Sequence, residues 1–555
     1  MSGLEHVDDY PEIPVSLAST STILKTGAWR SVRPIFANRM APCSAGCPAG
    51  VRIPAYIDDI KEGRVEAAYA TVTARNPFPR ITGRVCPHMC EAKCNLAITT
   101  GEESISIRSI ERWLGDAGMD LPDPTADADT GKRIAVVGSG PAGMAAAYYL
   151  RRTGHEVTVF DQRPKPGGIL RYGIPEYRLP SEVVDREIAR LEAMDIGFHN
   201  NVALGKDFTL DDLEAAYAAV FIATGAGQEK LTGIDGEGLL ESGLDFLEAA
   251  NRGTATLPGP RCAVVGGGNV AMDVARVLRR LGADVSVLYR RTANEMPAIA
   301  EEYQHAVADG VHFHWLVLPR TIEKDDAQLK VTVEEMWLGE PDESGRLRPE
   351  PTGVTCEMHF DGVFSAIGET ADTSVFPPRL RNDAGWLDLG EDGETVDQMV
   401  FAGGDLATGP ATVIEAIVAG RRAARAIDEQ LGFGDVWPPE EPLEVVPPKD
   451  INLTYMPHHD RSDDHTAAGA TAPASFAEET DTLSEAEILE EIDRCLSCGH
   501  CNNCGTCFVF CPDGAIIWDD GPRVDHEFCK GCGICVAECP GHVMVLVNER
   551  EVSHA

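Results

Sequence analysis

Three stretches of the chain share one rhythm: a short apolar run, a glycine turn, then a helix. In KRIAVVGSGPAGMAAAYYLRRTGHEVTVFDQ, Ile134 to Val137 reads as a strand and Met144 to Leu150 as an alanine-rich helix, with Glu156 to Phe160 the next strand. RCAVVGGGNVAMDVARVLRRLGADVSVLYRRT repeats the design from Arg261, its second strand running from Val285 to Tyr289. At 399–428, MVFAGGDLATGPATVIEAIVAGRRAARAID gives a strand, Gly404-Asp405 and a helix beginning near Thr412. Strand–helix alternation of this kind predicts parallel sheets and an α/β fold. Later, Ser484 and Glu487 form a capping box that Leu483 and Ile488 can staple, so a short helix should precede Cys495. No run approaches the roughly 18 apolar residues of a spanning helix, and no membrane span is expected.

The turns carry chemistry. Gly138, Gly140 and Gly143, with Pro141 and Ala142 between them, have G-x-G-x-x-G spacing. The first glycine allows a tight turn, the second lets backbone approach a pyrophosphate, and the third allows close helix–strand packing. The helix N-terminus adds the positive end of its dipole. Asp161 lies 23 residues past Gly138, where a carboxylate binds ribose hydroxyls. In the second unit the fingerprint is Gly266, Gly268 and Ala271, with Asn269 and Val270 opening the helix. Tyr289 stands where Asp161 stood, and Arg290 and Arg291 follow at once. An acid suits a free ribose diol and an arginine pair suits a 2′-phosphate, so FAD is expected in the first fold and NADP(H) in the second. NAD(H) stays open, as does a reading of the two arginines as a solvated pair at a strand end. Asp405, with Gly404 and the helix start at Thr412, can hold a flavin ribityl chain. FIATGA, with Thr224 and Gly225, and FSAIGE at 364–369 resemble the crossings between FAD and NAD(P) modules of two-dinucleotide flavoproteins. The chain has no cysteine between 94 and 262, which argues against thiol–disulfide chemistry at the flavin.

Composition narrows the class. The 48 Lys and Arg against 88 Asp and Glu give a net charge of −40, which disfavours nucleic acid or an anionic membrane as partner. MSGLEHVDDYPEIP lacks a basic-then-apolar export signal, so a soluble cytoplasmic protein is expected. Of 17 cysteines, five lie between 43 and 94 and ten between 495 and 539, the clustering that metal centres need; disulfides are the alternative. Cys501, Cys504, Cys507 and Cys511-Pro512, then Cys529, Cys532, Cys535 and Cys539-Pro540, repeat the bacterial two-cluster ferredoxin run. In that pattern each fourth cysteine ligates the other cluster, giving the sets Cys501, Cys504, Cys507, Cys539 and Cys511, Cys529, Cys532, Cys535. Zinc ribbons lack this spacing.

At the N-terminus, Cys43, Cys47, Cys86, Cys90 and Cys94 are too many for one cluster and too few for two. GRVCPHMCEAKC, VVGSGPAG, GGILRYGIPEYRLP, VVGGGNVAMD, YRRTANEMPA and FAGGDLATGPATVIEAI resemble the glutamate synthase small subunit family, which includes the FAD-side half of dihydropyrimidine dehydrogenase. That resemblance implies two N-terminal 4Fe–4S clusters and an upstream C-x-x-C, missing before Cys43. Arg494-Cys495-Leu496-Ser497-Cys498-Gly499 has its wording. By resemblance, Cys495 and Cys498 fold back to join Cys43 and Cys94, while Cys47, Cys86 and Cys90 take Glu111 as fourth ligand. Fifteen cysteines and Glu111 are then the sixteen ligands of four cubanes. Otherwise Cys495 and Cys498 are spare cysteines and Glu111 a surface carboxylate. The resemblance also places Gly168, Leu170 and Arg178, from GGILRYGIPEYRLP, around the flavin.

The expected division is an arm at 1–40, a helical iron–sulfur domain at 41–130 and FAD parts at 131–250 and 371–430 around an NAD(P) domain at 251–370. A linker at 431–490 and an α+β ferredoxin at 491–555 complete it. The linker, with prolines between Pro438 and Pro448 and small residues from Ala467 to Ala474, reads as a tether crossing a domain surface without packing. KTGAWRSVRPIF and the C-terminal ferredoxin resemble the two ends of the δ subunit of 2-oxoacid:acceptor oxidoreductases. Nicotinamide exchanges hydride and clusters move single electrons, so FAD must mediate and no catalytic side chain is required. An electron-transferring subunit of a hetero-oligomer is expected, serving a thiamine-diphosphate-dependent 2-oxoacid oxidoreductase. The alternative partner is a sulfite reductase or a glutamate synthase-type large subunit. A self-contained reductase is disfavoured because no substrate domain remains, and a non-catalytic scaffold because both nucleotide fingerprints are intact.

Overall fold

A computed structural model describes residues 25–118, 121, 126–343, 345–382, 385–437, 443–454, 456, 458–467, 475–519 and 521–552. The N-terminal MSGLEHVDDYPEIP and the runs 438–442 and 468–474 lie outside the described residues. The fold is α/β. One five-stranded parallel sheet has the order Val400–Ala402, Ala219–Ile222, Arg133–Val137, Glu156–Asp161, Gly197–Asn200. Its central strand is buried from Ile134 to Val137, which is why it reads as a continuous apolar run. The helices Pro141–Arg152 and Val413–Leu431 pack on each other; a side chain at Gly420 would start 2.1 Å from the Ala142 carbonyl.

The second parallel sheet runs His312–Trp315, Asp284–Tyr289, Arg261–Val265, Gly362–Ser365, Glu241–Ser242. An antiparallel sheet of Val317–Asp325, Gln328–Pro341 and Leu347–Phe360 packs against it through Ile322, Val331, Val333 and Phe360. The helices between Pro42 and Ala117 share one hydrophobic core with the first sheet, so the cysteine-bearing end is built onto the dinucleotide fold.

The first and last of the described strands meet. Val32–Phe36 pairs antiparallel with Met544–Asn548, from Val32 opposite Asn548 to Phe36 opposite Met544. Arg30 donates to both carboxylate oxygens of Glu549, at 2.8 and 3.0 Å, and to the Cys529 carbonyl at 3.1 Å. The KTGAWRSVRPIF arm thus forms part of the C-terminal module. The helix Glu485–Asp493 has the expected capping box, with Leu483 and Ile488 buried.

The 431–490 segment departs from a free tether. Met40 N–H donates to Glu444 O and Val446 N–H to Met40 O, both at 3.0 Å. Further on, Arg112 donates to Glu478 at 2.9 Å and to Thr480 Oγ1 at 2.6 Å. Arg276 and Arg280 donate to the Glu479 carboxylate, and Phe476 packs on Tyr177. The segment is poor in apolar residues, but its acids neutralise buried arginines presented by two different modules, and those charges hold it down. Among the described residues, no helix is long and apolar enough to cross a membrane.

Glu479→Ala should leave Arg280 underpaired and weaken this strap, costing about 2 kcal/mol. The expected readout is a lowered thermal midpoint with faster hydrogen exchange in the helix Asn269–Arg280. Unchanged exchange there would show that the strap does not brace the second dinucleotide module.

Candidate functional site

Both glycine turns leave the carboxyl edges of their sheets. Gly138 has φ +103°, and a Cβ there would lie 2.2 Å from the Ala223 carbonyl. A Cβ on Gly143 would stand 1.9 Å from Gly138 O, whereas Gly140, which caps the helix Pro141–Arg152, faces open space. That open face with a helix N-terminus behind it fits a pyrophosphate. Asp161 ends its strand facing the turn: its carboxylate accepts from Ser139 N–H at 2.7 Å and Arg163 N–H at 2.8 Å. Gly167 N–H donates to the Ser139 carbonyl at 3.1 Å, which brings Gly168 against Gly140 and buries Leu170. Gly404 packs on Ala142. Burial lifts the Asp405 carboxyl to about 6, opposed by the Ala411 N–H and reinforced by Glu415. Thr412 caps the helix Val413–Leu431 in a capping box with Glu415. Thr224 and Gly225 lie on the loop leaving Ala219–Ile222, with Thr224 exposed.

In the second turn Gly268 also faces open space, and a side chain on Gly267 would begin 2.5 Å from the Tyr289 ring. Asn269 Oδ1 accepts from Ile299 N–H at 2.9 Å, and Val270 follows it in the helix Asn269–Arg280. Arg290 is exposed. Arg291 is buried and donates to Leu347 O at 2.8 Å and to Asp342, which docks the hairpin between the long antiparallel strands. Arg178 also departs from expectation. Its guanidinium pairs with Asp273 at 2.8 Å and Glu302 at 2.8 Å, buried acids of the second dinucleotide module that a buried arginine needs as partners. Arg178 therefore braces one module against the other.

Fifteen of the seventeen cysteines fall into four groups, with Cys262 and Cys356 apart from them. Cys43, Cys94, Cys495 and Cys498 line one hollow with Ile53, Ile57 and Ile107. Burial pushes the Cys43 thiol well above its usual range, with Cys495, Cys498 and Cys94 adding to the effect. Burial likewise lifts Cys498 to about 12, although Asn95 donates to its sulfur at 3.6 Å. Burial lifts Cys86 to about 12, next to Glu111 and Cys47, and Cys90 shares those neighbours. Glu111 is buried with no hydrogen bond or ion pair among the described residues, and burial raises its carboxyl to about 8, with Glu91 contributing. It gets there because the helices Pro79–Val85 and Ile107–Ala117 cross at two glycines. A Cβ at Gly83 would meet Arg112 backbone at 2.5 Å, and one at Gly115 would meet Arg80 N at 2.4 Å.

In the C-terminal module burial raises Cys507, with Cys504, Cys501 and Cys539 as its next neighbours. Burial lifts Cys535 to about 12, beside Cys511, Cys529 and Cys532. Cys539 thus stands near Cys501 and Cys507, and Cys511 near Cys535, with Cys535 also beside Cys507; Cys532 is exposed. Gly499 N–H donates to Gly541 O at 2.7 Å, which joins the Cys495–Cys498 turn to the module. Among the described residues no three His, Cys, Asp or Glu side chains stand as they would around a single ion. A cubane asks for a wider spread, since its ligands bind different corner irons. Buried thiols around an apolar hollow fit such a cationic centre, which holds them as thiolates. A pocket of about 410 Å³ lined by Glu214, Tyr217 and Met399 opens at the opposite, amino-terminal edge of the first sheet and contains none of these groups.

Two dinucleotide folds, one inserted in the other and flanked by cysteine modules, define a nucleotide-linked flavoprotein oxidoreductase. The chain belongs to the pyridine nucleotide-disulphide oxidoreductase family, whose pattern matches residues 132–420. Residues 27–121 match dihydropyrimidine dehydrogenase domain II, 4Fe-4S cluster, and 522–545 match a 4Fe-4S binding domain. The chain is 39% identical over 442 residues to the NADP(+)-dependent formate dehydrogenase subunit beta of Moorella thermoacetica, covering 72% of this chain and 61% of that protein. It is 36% identical to the NADPH-Fe(3+) oxidoreductase subunit beta of Geobacter sulfurreducens, covering 82% of this chain and 75% of that one. It is 34% identical to the glutamate synthase (NADPH) small chain of Azospirillum brasilense, covering 69% of this chain and 85% of that one.

Asp405 gives a pH signature. Its value of about 6 in the folded chain exceeds the ordinary 3.8, so the folded state holds the proton more tightly than the unfolded state. In flavin-free protein this contribution to stability is full below about pH 4 and is lost as pH rises through about 6. Asparagine mimics the protonated carboxyl, so wild type should match Asp405→Asn below about pH 4 and fall below it in thermal midpoint as pH rises through about 6. A difference independent of pH would contradict the assignment.

Proposed function

We propose that this chain is the electron-transferring subunit of a larger cytoplasmic oxidoreductase, linking NADP(H), through FAD and four 4Fe–4S clusters, to a catalytic partner. The observation that carries this reading is the hollow shared by Cys43, Cys94, Cys495 and Cys498, bonded onward to the ferredoxin module. On this reading the ligand sets lead from the dinucleotide core towards the exposed Cys532.

On this reading Gly138, Gly140, Pro141, Ala142 and Gly143 cradle the FAD pyrophosphate and Asp161 accepts from ribose. Gly168, Leu170, Thr224, Gly225, Gly404, Asp405 and Thr412 border the flavin. Gly266, Gly268, Asn269 and Val270 receive the nicotinamide nucleotide. Arg290 meets its 2′-phosphate, and Arg291 positions the hairpin beside it. FAD, when bound, exchanges hydride with nicotinamide and single electrons with clusters. The protein contributes binding, orientation and exclusion of water. The N-terminal ligands are Cys43, Cys94, Cys495, Cys498 and Cys47, Cys86, Cys90, Glu111; the C-terminal ligands follow the crossed ferredoxin sets.

The proposed partner is a thiamine-diphosphate-dependent 2-oxoacid oxidoreductase. Support comes from the single sheet made by the KTGAWRSVRPIF arm and the terminal ferredoxin strand, the two δ-like stretches. A glutamate synthase-type large subunit is the second reading, favoured by the relative from Azospirillum brasilense. Mixing the chain with each partner and following 2-oxoacid-driven NADP+ reduction separates the two. Coupling only to the glutamate synthase-type subunit would refute the first choice.

Two measurements test the internal assignments. Anaerobic iron analysis should give about 16 Fe per FAD; about 8 would remove the N-terminal clusters. Arg290→Ala should raise the apparent KM for NADPH about tenfold or more and leave NADH nearly unchanged, as loss of a charge-assisted bond requires. Equal loss with both nucleotides would make Arg290 structural.

A further inference from the structure

Asn95 follows Cys94 directly and opens the helix Asn95–Thr100. It is 2% exposed and lines the hollow around Cys43, Cys94, Cys495 and Cys498. Its side-chain amide makes two contacts, both through Nδ2: one to the Val446 carbonyl at 3.2 Å and one to the Cys498 sulfur at 3.6 Å. A carbonyl oxygen and a sulfur both accept hydrogen bonds. The NH2 end of an asparagine carries two hydrogens, so that end alone can satisfy the pair.

The amide oxygen is buried with no hydrogen-bond partner. An unpaired buried acceptor is unfavourable, and leucine would fill about the same volume without that penalty. The side chain is thus used for its donor. Its orientation is set from outside its own helix, because the segment that supplies Val446 is fixed on two sides. Val446 N–H donates to Met40 O at 3.0 Å, and Asn452 donates to the Ala537 carbonyl of the ferredoxin module at 3.1 Å. Residues that hydrogen-bond the ligands of a metal centre orient them and tune the metal. A donor to a cluster's sulfur stabilises the reduced form more than the oxidised one, because reduction adds negative charge, and so it raises the reduction potential.

We propose that Asn95 is a positioning residue whose amide N–H, aimed by the Val446 carbonyl, donates to the Cys498 thiolate and raises the reduction potential of the cluster held by Cys43, Cys94, Cys495 and Cys498. That set joins the N-terminal helical domain to the turn before the ferredoxin module, so one amide sets the potential of the centre between them. The inference rests on the four-cluster reading above.

The test is an EPR-monitored redox titration of the anaerobically purified full chain, with iron determined on each protein. Wild type is compared with Asn95→Leu, which removes the donor, and with Asn95→Asp, which puts a negative charge in its place. Cys498→Ser, which alters one ligand, marks the potential that belongs to this cluster. About 16 Fe per FAD in wild type and both Asn95 variants, with that one potential lowered in Asn95→Leu and lowered further in Asn95→Asp, supports the proposal. Full iron with unchanged potentials overturns the role of Asn95 and leaves the four clusters standing. A shift confined to a potential that Cys498→Ser does not mark also overturns it. So does loss of iron from both Asn95 variants, because the amide would then serve assembly. Wild-type iron near 8 per FAD would fault the underlying cluster count and the proposal with it.

Discussion

Two cysteines near residue 500 share an apolar hollow with two cysteines near the start of the described chain, and much of the architecture depends on that convergence. The thiols of Cys43, Cys495 and Cys498 do not ionise in such a place unaided, because burial raises each of them. A multivalent cationic centre reverses that preference, because each thiolate then has a positive partner in a low-dielectric site. The cost of bringing such distant segments together is an entropic one that grows only slowly with loop length. Strand pairing at the chain ends, the capped helix Glu485–Asp493 and the Gly499–Gly541 bond all hold this closure.

Charge does comparable work between modules. Arg112, Arg178, Arg276 and Arg280 are largely removed from solvent, and each has a carboxylate partner. The acids come from the segment around Glu478 and Glu479 and from helices of the second dinucleotide module. A strongly acidic chain can cover its scarce cations in this way, so a stretch with few apolar residues still packs.

The parts of the fold encoded locally were legible in the sequence. The β-branched runs and glycine turns of both dinucleotide units depend on contacts within about 30 residues, and the ferredoxin spacing is a local statement about cluster ligands. The capping box at Ser484 belongs with them. Features set by tertiary charge were not legible. Nothing near Arg178 or Arg291 in sequence reveals Asp273, Glu302 or Asp342, so one arginine braces modules and the other docks a hairpin. The antiparallel sheet escaped notice because its strand Leu347–Phe360 is mostly exposed and alternates weakly. Ser139 could have been found as the residue between the first two glycines, opposite Asp161. Gly267 could have been found only by knowing where the Tyr289 ring would lie.

The pairing of Val32–Phe36 with Met544–Asn548 has a consequence for biogenesis. A chain synthesised from its N-terminus presents that first strand, and then Cys43 and Cys94, long before their partners leave the ribosome. The helical domain must therefore emerge with an incomplete ligand set and an unpaired strand edge, a form prone to aggregation and to binding the wrong metal. On the proposed ligand set, the site of Cys43 and Cys94 is completed only once Cys495 and Cys498 have left the ribosome.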